Sequence, residues 1–172
     1  PLSGAIIGTP SSVPVAPPTR ATRAQLAASS EEFAALAAAA IATATDTGGR
    51  AGLLALRIDA TGNGASKETS NSAALREQVV ELIRRNLRAG DVVSHSATDE
   101  VLILLHRATR EEGSQIADRL CSAIRNHAFA GIGGDRPRMG TTASMGIASS
   151  PLHGSNVTAL MDAARVAMAS VA

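Results

Sequence analysis

Two groups of side chains are typed and spaced for chemistry. The first is Asp99-Glu100 in the stretch HSATDEVLILL, a pair of adjacent carboxylates. Adjacent acids can share a divalent cation, but only inside a larger set of oxygen donors. The second is basic: Arg84, Arg85 and Arg88 close an amphipathic segment, three residues before Asp91. Such a cluster is ordinarily a solvated face, and it also raises the local potential for an anion. Arg88 at a helix end opposes the helix dipole, and Asp91 reads as a turn residue. The remaining polar groups offer less. His95, His106, His127 and His153 stand apart from one another and read as surface or loop residues rather than metal ligands. Cys121 is the only cysteine, which rules out an intramolecular disulfide framework and any CxxC metal site. It lies on the apolar side of a helix and reads as a small core residue. Gly133-Gly134-Asp135 reads as a turn.

The elements that hold these groups follow from periodicity. From Arg23 to Thr45 alanine dominates, with Leu26, Phe33, Leu36 and Ile41 as a thin apolar stripe, which predicts a helix stopped at Gly48-Gly49. Leu53 to Ile58 is a short apolar run, a buried strand. Residues 60–72 are rich in Gly, Ser and Asn and predict a loop. Leu75, Val79, Leu82, Ile83 and Leu87 recur at helical spacing between Ala74 and Arg88. Asp91–Ser94 and Glu100–Leu105 form a β-hairpin pattern, Glu111 to Phe129 an amphipathic helix, Met139 to Ser149 a strand and Val157 to Val171 a closing helix. The order α-β-α-β-β-α-β-α predicts an α/β sandwich with a central mixed β-sheet flanked by helices.

Composition sets outer bounds. The 172 residues are 45% hydrophobic and 18% charged, enough to bury one core. The formal net charge of +1 argues against a phosphate-tracking nucleic-acid binder, and two Phe with no Trp or Tyr leave little to stack on bases. No run reaches the roughly 18 apolar residues a membrane span needs, so no membrane contact is expected of this segment. Five of the seven prolines lie within the first 18 residues, which predicts an extended linker or arm over residues 1–21 and a folded domain over 22–172. With Pro1 in first place and no signal-peptide n-region, the chain is expected to be a segment of a longer cytoplasmic protein.

The hairpin carries a resemblance. Ala97-Thr98-Asp99-Glu100-Val101 stands where the GGDEF signature of diguanylate cyclases has Gly-Gly-Asp-Glu-Phe. LLALRIDA resembles that family's first core strand, which ends in Asp-x-Asp. TTASMGIASSP resembles its TxSxGxA strand at Thr142, Ser144, Gly146 and Ala148, and LMDAARVAMASVA is similar to its last helix. Their order and spacing over residues 22–172 imply the GGDEF, nucleotidyl cyclase-like sandwich. The same comparison implies that catalysis has been lost. Arg57 occupies the position of the first, metal-binding Asp, and only the second remains, as Asp59. Ala97 and Thr98 bring β-carbons to positions where glycines let the backbone approach phosphate. The guanine-reading positions have no firm counterpart, with Asn63, Asn71 and Ser72 all candidates. In the last helix the family's Asp, Tyr and Lys become Arg165, Ala169 and Ala172. No catalytic residue, metal or cofactor is therefore expected, and the chain is expected not to be an enzyme.

What the resemblance retains is the product-inhibition site. Its Arg-x-x-Asp motif ends five residues before the signature, and here Arg88-Ala89-Gly90-Asp91 precedes Val92–Ser96 and then Ala97. A second family arginine, 18 residues past the signature, falls on Arg119. A guanidinium can donate to guanine O6 and N7, a carboxylate can accept from guanine N1 and N2, and a second guanidinium can pair with phosphate. The resemblance thus implies a cyclic di-GMP receptor using Arg88, Asp91 and Arg119, acting on a partner protein or upstream domain as in the degenerate receptors that control exopolysaccharide secretion, with room for a homodimer. The alternatives are a ligand-free scaffold for dimerisation or docking, and a residual GTP binder.

Overall fold

A computed structural model of the chain describes residues 24–27, 29–59, 69–94, 100–130 and 141–170, with side chains from residue 73 onward in the helix that begins at Thr69. The proposed arm therefore lies outside the described residues, as do His95, Ala97, Thr98, Asp99, Asn63, Gly133-Gly134-Asp135 and Ala172.

The central strand of the sheet explains the rest. β2 (Ala51–Asp59) has its first six residues buried. An apolar run without alternation is what a strand covered on both faces requires. Leu53 and Ala55 point to one face, among the residues of α1 (Ser30–Asp46) and α4 (Val157–Ala169). Leu54 and Leu56 point to the other, among those of α2 (Thr69–Arg85) and α3 (Arg110–Asn126). On either side of β2, antiparallel to it, run β4 (Glu100–His106) and β5 (Thr142–Ser150). β3 (Val92–Ser94) pairs with β4, and β1 (Gln25–Ala27) completes the order β1-β3-β4-β2-β5. Helices thus flank a five-stranded mixed sheet. No helix among the described residues is long and apolar enough to cross a membrane.

Three expectations shift. The alanine-rich helix was expected from Arg23, but Gln25–Ala27 is a strand parallel to β3, and α1 starts only after the Ser29 N-cap, whose Oγ accepts from Glu32 N at 3.1 Å. Helix propensity yields here to the unpaired edge of β3, where Gln25 N–H finds Asp91 O at 2.9 Å. The loop expected over 60–72 ends sooner, since α2 begins at Thr69. Finally, α3 ends at Asn126 rather than Phe129; Phe129 instead turns into the α2–α3 core, fully buried, with the His127 ring against its edge at 4.7 Å.

The register gives the sheet two distinct ends. Arg57 faces Glu100 on one side and Ser144 on the other, and Asp59 faces Thr142. At the opposite end, Ala51 faces His106 and Ser150. Glu100 belongs to the first end and Asp91, which precedes β3, to the second.

Candidate functional site

At the signature end, Glu100 does not stand free. Arg165 reaches across from α4 and grips it with both forks, Nε to Oε1 at 2.7 Å and Nη2 to Oε2 at 3.0 Å. A two-pronged guanidinium–carboxylate pair is the strongest geometry such groups can adopt, and the contact with Glu100 raises the Arg165 pKa above its ordinary value. Asp162 adds a weaker contact at 3.7 Å. Arg57, exposed, stands directly opposite Glu100 in the register. Asp59 accepts hydrogen bonds from Thr142 Oγ1 at 3.2 Å and Ser144 Oγ at 3.1 Å. Val101 is buried in the α2–α3 core. Among the described residues no group of three His, Cys, Asp or Glu could hold a metal ion.

The Glu100–Arg165 pair was not foreseen, although Arg165 was marked as a substitution. Sequence places the two 65 positions apart, and only the packing of α4 on β5 and β2 joins them. The Asp59 contacts had a readable signal. Thr142 and Ser144 are two apart on a strand and so share a face.

The opposite end contains the Arg-x-x-Asp corner. It forms where α2 has stopped, and the turn is closed by Asp91 N–H donating to Arg88 O at 3.0 Å. The Asp91 side chain is only 3% exposed. Its Oδ2 accepts from Arg88 N–H at 3.0 Å and its Oδ1 from His106 N–H at 3.1 Å, so one carboxylate ties the turn to the end of β4. Burial raises its pKa above the ordinary carboxylate value, against the opposing pull of those two N–H groups and of the Arg88 and His106 charges. The carboxylate has lone pairs beyond these two bonds.

The basic cluster divides in two. Arg84 and Arg85 both pair with Glu81, at 3.1 and 3.0 Å, and Arg84 Nε also donates to Ala24 O. Arg88 is exposed and has no ion pair among the described residues. Arg119, also exposed, extends from α3 to donate Nη2 to Asn86 O at 2.7 Å, two residues before Arg88. The fold therefore brings Arg119 to the helix end that leads into Arg88, and the buried Asp91 carboxylate is taken up by the N–H groups of Arg88 and His106.

Other polar groups keep to structural roles. Cys121 Sγ lies 3.5 Å from Ala143 O, half-buried, and burial raises its thiol pKa. The His153 ring contacts Ser149, and the described histidines form no cluster.

Comparison with known proteins gives the family. No curated protein matches. Among solved structures, the GGDEF domain of YfiN (TpbB) from Pseudomonas aeruginosa has a TM-score of 0.72 at 21% identity, over 83% of this chain and 88% of that one. The FimX GGDEF domain from the same organism has a TM-score of 0.72 at 19% identity, over 88% and 90%. The GGDEF domain of DgcB from Caulobacter crescentus, in complex with cyclic di-GMP, has a TM-score of 0.63 at 12% identity, over 99% and 92%. At such identities these likenesses speak for the fold. The model for the GGDEF domain of diguanylate cyclases matches residues 73–171, more than half of the sequence, and the chain belongs to that family.

Proposed function

We propose that this GGDEF domain is catalytically silent and serves as a cyclic di-GMP receptor, with Arg88, Asp91 and Arg119 as its binding corner. The observation that carries the reading is the reach of the Arg119 guanidinium to Asn86 O, two residues before the exposed Arg88 and the Asp91 turn. Two cations at one helix end suit a ligand with two phosphates and two purine edges. DgcB, a domain of the same fold, is known in complex with cyclic di-GMP. Silence at the other end is supported by the engagement of Glu100 with Arg165 and by Arg57 beside them. A cationic side chain there opposes the divalent metal that phosphoryl chemistry needs. Occupation of the corner would then change contact with a partner domain or protein, such as one governing exopolysaccharide secretion.

One observation favours a second reading. Both Asp91 oxygens already accept backbone N–H groups, which is what a ligand-free scaffold would use that residue for. Calorimetry separates the two. We expect micromolar cyclic di-GMP binding to the domain, lost in Arg88→Ala and in Arg119→Ala, and no turnover of GTP with Mg²⁺. No binding by the folded wild-type domain would leave the scaffold, and turnover would show that the active site survives.

A further inference from the structure

A groove of about 740 Å³ opens at the Asp91 end of the sheet, between α1 and the turn from β4 into α3. Its volume lies within the range of small-molecule sites, roughly 300–1,000 Å³. Leu36, Ala40, Ala44 and Ala51 give it apolar walls, because alanine on α1 leaves space where larger side chains would fill it. Its charged lining is all of one kind: Arg50 and Arg107 contribute to it and no acid does. Beyond the lining, Glu111 feels the Arg50 charge, so Arg50 is partly answered, whereas Arg107 has no ion pair among the described residues. The last turn of α1 presents few open acceptors, since Thr43 O, Ala44 O and Thr45 O already receive the N–H groups of Thr47, Gly49 and Gly48.

Arg107 supplies an independent observation. Its φ is +52°, in the left-handed region that a side chain with a β-carbon enters at a cost. A residue held there without being glycine points to a use for its side chain.

We infer that this groove binds a small amphipathic anion, an aliphatic body lying against α1 with its single carboxylate on Arg107. The occupant follows from charge complementarity: apolar walls take the hydrocarbon, and a cationic rim with no acid in the lining takes the negative group. The site uses neither Arg88 nor Arg119 and does not depend on the reading of that corner.

Decanoate and its uncharged counterpart decanol are the probes, titrated into the full chain and followed by calorimetry and by amide NMR shifts. Decanoate binds at least about tenfold tighter than decanol, since an ion pair at a partly desolvated rim is the difference between them. Its shifts centre on Leu36, Thr43, Arg50 and Arg107. Arg107→Gly relieves the backbone and leaves thermal stability unchanged or raised, yet lowers decanoate affinity about tenfold. Thr43→Trp, at an exposed position on the groove wall, excludes the probe. Equal binding of decanol, shifts centred on Arg88 and Arg119, affinity unchanged by Arg107→Gly, or no binding by the folded chain would each overturn the inference.

Discussion

At the scale of single residues, Asp91 engages every polar atom it has. It closes its own turn, anchors the end of β4 and takes Gln25 N–H on its carbonyl, all while buried. Replacing it with alanine leaves two N–H groups without acceptors, a loss of about 1–3 kcal/mol in chemical denaturation. Asp91→Asn keeps one acceptor and loses less. The sign of the pH dependence follows from burial. A folded-state pKa above the ordinary value means the native chain holds this proton more tightly than the unfolded chain does. Stability on this account is greatest below the ordinary carboxylate value and declines as pH rises from about 4 through the raised value. Denaturation midpoints measured across that range should show the decline in the wild type and not in Asp91→Asn.

At the scale of elements, contact between α4 and β5 rests on Gly146. A β-carbon there would collide with Ala164 O and with the Met168 backbone, and neither can move without shifting the helix. This gives the glycine of the TxSxGxA strand a physical reason: the helix backbone lies directly on the strand. Gly146→Ala should cost at least about 2 kcal/mol, read from denaturation. It should also loosen the Arg165–Glu100 pair, because α4 carries Arg165. By contrast, α1 approaches the sheet through Ala37, Ala40 and Ala44, whose small side chains make the approach possible and leave its outer face open as the groove.

At the scale of the whole molecule, the two ends of the sheet are separate. β2 spans nine residues between them, a length of roughly 27 Å. Substitutions at sites so far apart with no shared partner add within about 0.5 kcal/mol. Arg165→Ala should therefore leave unchanged the cyclic di-GMP affinity proposed for the other end. Calorimetry on the wild type and Arg165→Ala tests this. The expectation fails if Arg165→Ala shifts affinity more than about twofold, because coupling would then run through the sheet.

The amino-acid sequence by itself determined the sandwich and the order of most of its elements. Buried runs such as Leu53–Leu56 and helical spacings such as Val79, Ile83 and Leu87 are local patterns with one good solution. It also placed Arg88 and Asp91 at a corner, since a helix end followed by a strand start is visible along the chain. Only the tertiary structure decided where side chains met. That β1 is a strand depended on the free edge of β3, which a propensity cannot see. That Glu100 is held by Arg165, and that Arg119 reaches Asn86, depended on helices docking from 65 and 33 positions away. Whether a charged group is free or engaged is set by what packs beside it in space, and periodicity along the chain carries no record of that.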